Sequence, residues 1–256
     1  MMRTLLILAA VAGLLAAQTA NPIPPKPKSQ KEVEAINAFM TVADPDARIA
    51  AAKNLITNFA DSEYKALALY YISTSYQQKG DTDKMILYAE QTLEADPKFF
   101  GAMLQIAQGL ASRTRKYDLD KEEKLSRAEK LCKEAEELIN GWAKPNPRLT
   151  DEQFAGAKKD FLYQVHDTLG IAAVAREKYD LAVTEYNTAL GLGLPPDPST
   201  QVRLGTALTS QKKYDEAIAA FDKALNNPGA GPVVKKVAME EKLKAVQARA
   251  ADTKKQ

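Results

Sequence analysis

One cysteine and one histidine are all that 256 residues supply of the two side chains most used in metal and nucleophilic sites. A single cysteine excludes an intramolecular disulfide framework and a Cys-cluster zinc site. A single histidine excludes a multi-histidine metal centre within one chain. Excess charge of either sign is missing too: 35 Lys+Arg face 33 Asp+Glu, a formal net charge of +2. That balance excludes a strongly basic nucleic-acid domain and an acidic tail protein. Few segments alternate apolar and polar residues with period two, and no Gly-x-x-x-x-Gly-Lys-Ser/Thr phosphate loop occurs. Gly191-Leu192-Gly193 ends a helical stretch before Pro195-Pro196 and reads as a stop. What remains, 45% hydrophobic and 27% charged residues, is the balance of a folded chain.

The longest apolar run is Leu5 to Ala17, inside MMRTLLILAAVAGLLAAQTA. Arg3 precedes it and small residues follow it, the pattern of a secretory signal peptide; spanning a bilayer takes ~20 apolar residues. We read residues 1–20 as a signal peptide, cut after Thr19 or Ala20, and the chain as exported to a periplasm or secreted. If the segment were retained it would instead tether the chain to a membrane. No cysteine lies near it, which excludes a lipoprotein anchor. Residues 21–31, NPIPPKPKSQK, carry four prolines and three lysines and read as a linker.

From Glu32 onward helix formers dominate, and the chain repeats itself. YQVHDTLGIAAVAREKYDLAVTEYNTALGL, from Tyr163, aligns with PSTQVRLGTALTSQKKYDEAIAAFDKALNN, from Pro198. Gly170 pairs with Gly205, Tyr179 with Tyr214, Ala182 with Ala217 and Ala189 with Ala224, each 35 residues apart. A fixed period in the range of ~20–50 residues means a stacked repeat array. Leu169, Gly170 and Ala173 share one face of a first helix; Ala182, Tyr186 and Ala189 share one face of a second. The small residues let the two helices approach, and neighbouring units must cover the apolar face that one unit leaves open.

These segments resemble the tetratricopeptide repeat, a helix–turn–helix unit of about 34 residues. GDTDKMILYAEQTLEADP, from Gly80 to Pro97, is similar to the second half of that unit, with Met85 and Thr92 in place of the usual alanines. The expected fold is all-α: a right-handed superhelical solenoid of stacked helix–turn–helix repeats. Its units are a degenerate repeat over 32–63 and repeats over 64–97, 98–141, 148–194 and 198–231, with a capping helix over 232–251. The third unit carries an insertion around Thr114–Lys121, because Ala128 and Ala135 fall about nine residues late for a period of about 34. GWAKPNP, from Gly141, breaks the array, and Thr150 with Gln153 makes a capping box for the next helix. In the last helix Val234, Val237, Leu243 and Val246 are expected to cover the final unit.

Catalytic chemistry finds no foothold. His166 lies on a repeat helix and reads as a packing or hydrogen-bonded group. Cys132 sits in the apolar stripe Leu125, Ala128, Cys132, Ala135, Ile139 and reads as a buried thiol. Asp118, Asp120, Glu122 and Glu129 match four places of an EF-hand loop, but Glu123 occupies the place that needs glycine. We expect no catalytic, cofactor or metal site, no nucleic-acid binding, and no enzyme activity.

The resemblance implies that first helices line a concave surface that binds a peptide or helix of another protein. Projected onto this chain, that surface comprises Tyr70, Thr74, Gln77 and Gln78; Leu104, Gln108 and Ala111; Gln164, Asp167, Ile171 and Val174; and Val202, Arg203, Thr206 and Thr209. Members of the family that grip acidic chaperone tails use a cluster of Lys, Asn and Arg there. Tyr70, Leu104, Asp167 and Val202 stand where lysines are expected and only Arg203 is a cation, which disfavours that mode. The expected function is a non-catalytic interaction scaffold of the cell envelope. Two alternatives are an accessory subunit or enzyme with a site in the irregular region 114–150, and a membrane-tethered assembly factor.

Overall fold

The computed structural model describes residues 25–144 and 149–254; the signal-peptide assignment and part of the Gly141–Pro147 break lie outside them. The described residues form eleven helices and no strand. They are α1 (Gln30–Thr41), α2 (Pro45–Asn58), α3 (Lys65–Gln78), α4 (Thr82–Ala95), α5 (Phe100–Arg113), α6 (Lys121–Asn140), α7 (Asp151–Ala175), α8 (Tyr179–Gly191), α9 (Pro198–Ser210), α10 (Tyr214–Asn226) and α11 (Pro232–Thr253). The described residues divide into two compact units, one lying within residues 1–110 and 130–158, the other within residues 111–129 and 159–256.

In the first unit, capping residues fix where helices begin. Ser29 Oγ accepts from Glu32 N, Asp44 Oδ1 from Ala47 N ahead of Pro45, and Asp81 Oδ1 from Lys84 N. Each satisfies a backbone donor that the first helical turn leaves open. Consecutive helices α1 to α4 pack on one another. Helix α3 is buried along almost its whole length, from Leu67 to Ser73 and at Ser75. Ring contacts tie it on both sides: Tyr71 meets Phe39 edge-on at 5.1 Å, and Tyr70 lies 4.9 Å from Phe99. Residues 25–29 are tied down. Tyr64 Oη donates to Pro25 O, Lys26 N to Glu63 Oε2, and Lys28 Nζ to Asp61.

The late part of α6 buries Leu131, Cys132, Ala135 and Ile139. Just beyond it Trp142 stands between Phe100 (5.1 Å) and Phe154 (4.9 Å), edge-on to both. Lys158 Nζ donates to Asn140 O, placing a cation at the carbonyl end of α6. Helix α7 opens with the capping box: Gln153 N donates to Thr150 Oγ1, and Thr150 N donates to Gln153 Oε1.

In the second unit, α9 packs against α8, α10 and α11. The 35-residue repeat seen in the sequence is a repeat of contacts. A Cβ on Gly170 would lie 2.4 Å from the Tyr186 ring, and one on Gly205 would lie 2.6 Å from the Phe221 ring. Both rings are buried, so neither can swing away. Gly205→Ala should therefore cost about 1–3 kcal/mol through overpacking. Urea denaturation reads the loss, and Gly205→Ala/Phe221→Leu should recover part of it. A double variant no more stable than Gly205→Ala would show that ring contact is not the cause.

Helix α6 is anchored here through Arg176, which donates from Nε to Glu122 Oε2 (2.8 Å) and from Nη2 to Ser126 Oγ, and also pairs with Glu129. Lys116, in the turn over residues 114–120, reaches Glu177. At α11 the structure departs from expectation. The face that covers α9 and α10 is built on Ala238 and Ala245, with Val234 and Val246 half-buried; Val237 is 40% and Leu243 57% exposed. Two alanines seven residues apart bring α11 close, and that phase turns Val237 and Leu243 outward.

Candidate functional site

The first helix of each hairpin carries the projected binding residues, and the structure sorts them by burial. Tyr70, Leu104, Ala111, Asp167 and Val202 are buried. Thr74, Ile171, Val174, Arg203, Thr206 and Thr209 are half-buried, whereas Gln77, Gln78, Gln108 and Gln164 are exposed. Two polar clusters emerge, one in each unit.

The first joins α3 to α5. Gln105 Nε2 donates to Thr74 Oγ1 (3.2 Å) and to Gln77 Oε1 (3.4 Å), and Gln77 Nε2 donates to Gln108 Oε1 (3.1 Å). Thr74 spends its own hydroxyl proton on Tyr70 O, so Gln105 must turn its NH2 group toward it. That orientation presents Gln105 Oε1 to the fully buried Ser73 hydroxyl, which lies 2.7 Å from it and 2.7 Å from Met85 O and shares one proton between the two acceptors. Gln78 Oε1, alongside, accepts from Arg48 Nη1. Sequence reasoning missed Gln105. Its only signal is an amide among the apolar residues of FGAMLQIAQGLASR.

The second cluster joins α7 to α9. Arg203 donates from Nε and Nη2 to Asp167 Oδ1 (3.2 and 2.9 Å) and from Nη2 to Asp167 Oδ2 (2.9 Å). Thr200 donates to Asp167 Oδ1 at 2.7 Å, which leaves Tyr163 as the donor to Thr200 Oγ1. Asp167 is only 6% exposed. Burial opposes the charge on Arg203, but the Asp167 carboxylate outweighs it and holds the guanidinium above its ordinary pKa. The one cation of the projected surface is therefore engaged inside the fold, a finding that agrees with the weak case for an acidic-tail clamp. Tyr163 and Thr200 were not singled out from sequence, because their role depends on α7 and α9 lying side by side.

Neither cluster contains the single histidine or the single cysteine. His166 Nδ1 pairs with Glu185 Oε2 at 2.8 Å, joining α7 to α8. Cys132 is buried. Among the described residues no group of three or more His, Cys, Asp or Glu is placed to hold a metal ion, and no helix is long and apolar enough to cross a membrane.

Buried Tyr71 and Tyr186 and half-buried Tyr163, all raised by burial, give the fold an alkaline limit. Burial pushes Tyr71 up to about 12, and its hydroxyl lacks a partner; burial likewise pushes Tyr163 up to about 12. An unfolded tyrosine titrates near ~10. The folded state holds its phenolic protons more tightly, so this contribution is complete below about pH 10 and is lost between about pH 10 and pH 12. Phenolate absorbance should rise together with loss of helical circular dichroism over that interval. Full tyrosine ionisation with the helical signal intact would contradict it.

Residues 66–99 match the tetratricopeptide repeat family, and so do residues 168–232. Among curated proteins none matches the chain. Of solved structures, TTC0263, a thermophilic TPR protein of Thermus thermophilus, is similar with a TM-score of 0.57 and 17% identity, over 83% of this chain and 99% of that one. Residues 1–338 of Acl4, the assembly chaperone of RpL4, align with a TM-score of 0.46 and 13% identity, over 87% of this chain and 99% of that one. The first likeness shows the fold, and the chain carries tetratricopeptide repeats in its two matched segments.

Proposed function

Proceeding from those repeats, we propose that this chain is a non-catalytic scaffold of the cell envelope that holds a segment of another protein against its first helices. The observation that carries the reading is the residual exposure on those helices. Once packing has taken Tyr70 and Leu104 and ion pairing has taken Asp167, what the projected positions leave fully exposed is neutral and polar, namely Gln77, Gln78, Gln108 and Gln164, with charged residues such as Lys65, Arg113 and Lys159 elsewhere on the same helices. Hydrogen-bonding side chains on rigid helices suit recognition of a partner and supply neither nucleophile nor base. The apolar run at residues 5–17 supports export.

A photo-crosslinking residue introduced at Gln77 or Gln164 should capture a discrete partner in envelope fractions. The same residue at exposed Leu87 or Leu181, on second helices, should not. Capture from the second helices alone would overturn the assigned face. N-terminal sequencing of the exported protein should begin at Ala20 or Asn21. An intact Met1 in a membrane fraction would replace the free scaffold by a tethered one.

A further inference from the structure

The amide cluster of the first unit has a polarity, and the polarity specifies what it can hold. The oxygens of all three exposed glutamines each accept one hydrogen bond, which leaves a single lone pair on each. Gln77 Oε1 accepts from Gln105, Gln108 Oε1 from Gln77, and Gln78 Oε1 from Arg48. Their nitrogens are not equally spent: Gln77 Nε2 has given one hydrogen, while among the described residues the NH2 groups of Gln78 and Gln108 meet no acceptor. The chain of amides runs from buried Gln105 through Gln77 to Gln108 on the surface, each bond polarising the next. Its outer end is therefore donor-rich and carries no formal charge. The apolar neighbours Tyr70 and Leu104 are buried, so they add no greasy surface beside it.

Resting on the reading that a partner segment lies on the first helices, we infer that the α3–α5 face takes an uncharged, extended segment through its main-chain carbonyl oxygens. A neutral donor row matches acceptors that are themselves neutral. An acidic segment would need cations, and Arg48, which reaches Gln78 through Nη1, spends Nε and Nη2 on Val42 O and Ala43 O beyond the end of α1, while Lys79 is paired with Asp46. A basic segment would meet N–H groups and no free carboxylate in the row. Carbonyls spaced along an extended chain are the acceptors that every peptide carries irrespective of its side chains.

Panning the full chain against a random-peptide phage library, followed by fluorescence anisotropy on synthetic copies of the enriched peptides, tests this. The enriched peptides should be poor in charged residues, and their affinity should change less than about twofold between roughly 50 and 500 mM NaCl. Gln77→Met/Gln108→Met, which removes the donors without adding charge, should weaken binding roughly tenfold or more. Gln247→Met, an exposed change on α11, should leave it unaltered. Because Gln77 and Gln108 are exposed, an unchanged melting curve for the double variant is expected and confirms that it folds. Charged peptides with steep salt dependence, or full binding by the Met variant, would overturn the carbonyl inference. If such peptides still compete with the crosslink from Gln77, the scaffold reading stands without it. If no peptide is enriched and crosslinks arise only from second helices, both fail.

Discussion

Replacing Trp142 by alanine should cost about 3–5 kcal/mol of stability. The indole is 5% exposed and fills the space between Phe100 and Phe154, making an edge-on contact with each. Truncation removes the transfer energy of a large side chain and both ring contacts, and it opens a cavity that three helices would have to collapse to fill. Trp142 is also the only tryptophan, so in the wild type its fluorescence reports unfolding of this region directly. Trp142→Phe should lose much less, because a ring remains between the two neighbours. Comparable losses for Ala and Phe would mean that the stacking of rings is not what matters.

Arg203→Ala should cost about 2–4 kcal/mol, near the low end for a broken buried pair because Arg203 is about a third exposed. The damage comes less from the arginine than from what it leaves behind. The Asp167 carboxylate stays buried, keeps one donor in Thr200, and loses every charged one. Asp167→Asn in the Arg203→Ala background should regain a large part of the loss, because an amide does not need a counter-ion. Chemical denaturation of the four corners of this double-variant cycle gives the coupling. Additive losses would show that the pair does not act as a unit.

The helical repeat was legible because it is a property of spacing. Gly170 and Gly205 stand 35 residues apart, and so do Tyr186 and Phe221, and the structure shows each glycine under its own ring. Thr150 and Gln153 gave away the start of α7 because a capping box lies within four residues and needs no tertiary partner. Helix α11 was only half legible. Its sequence is rich in alanine and valine, and periodicity alone does not say which of two adjacent apolar stripes goes inward. Ala238 and Ala245 won because close approach to α9 and α10 favours the smaller side chains.

The surface residues were the least legible. Spacing placed Tyr70, Asp167, Gln77 and Gln108 alike on first helices, yet packing covers the first two and leaves the others exposed. Gln105 escaped notice because its partners Ser73, Thr74 and Gln77 come from a helix some thirty residues away. By itself the sequence determined the helix pairs, the period, the near-zero net charge and the lack of a histidine or cysteine cluster, all of which depend on composition or on neighbours within a few turns. Only the tertiary structure decided which polar groups are spent on one another and which face outward, because hydrogen-bond partners on different helices are set by where those helices pack.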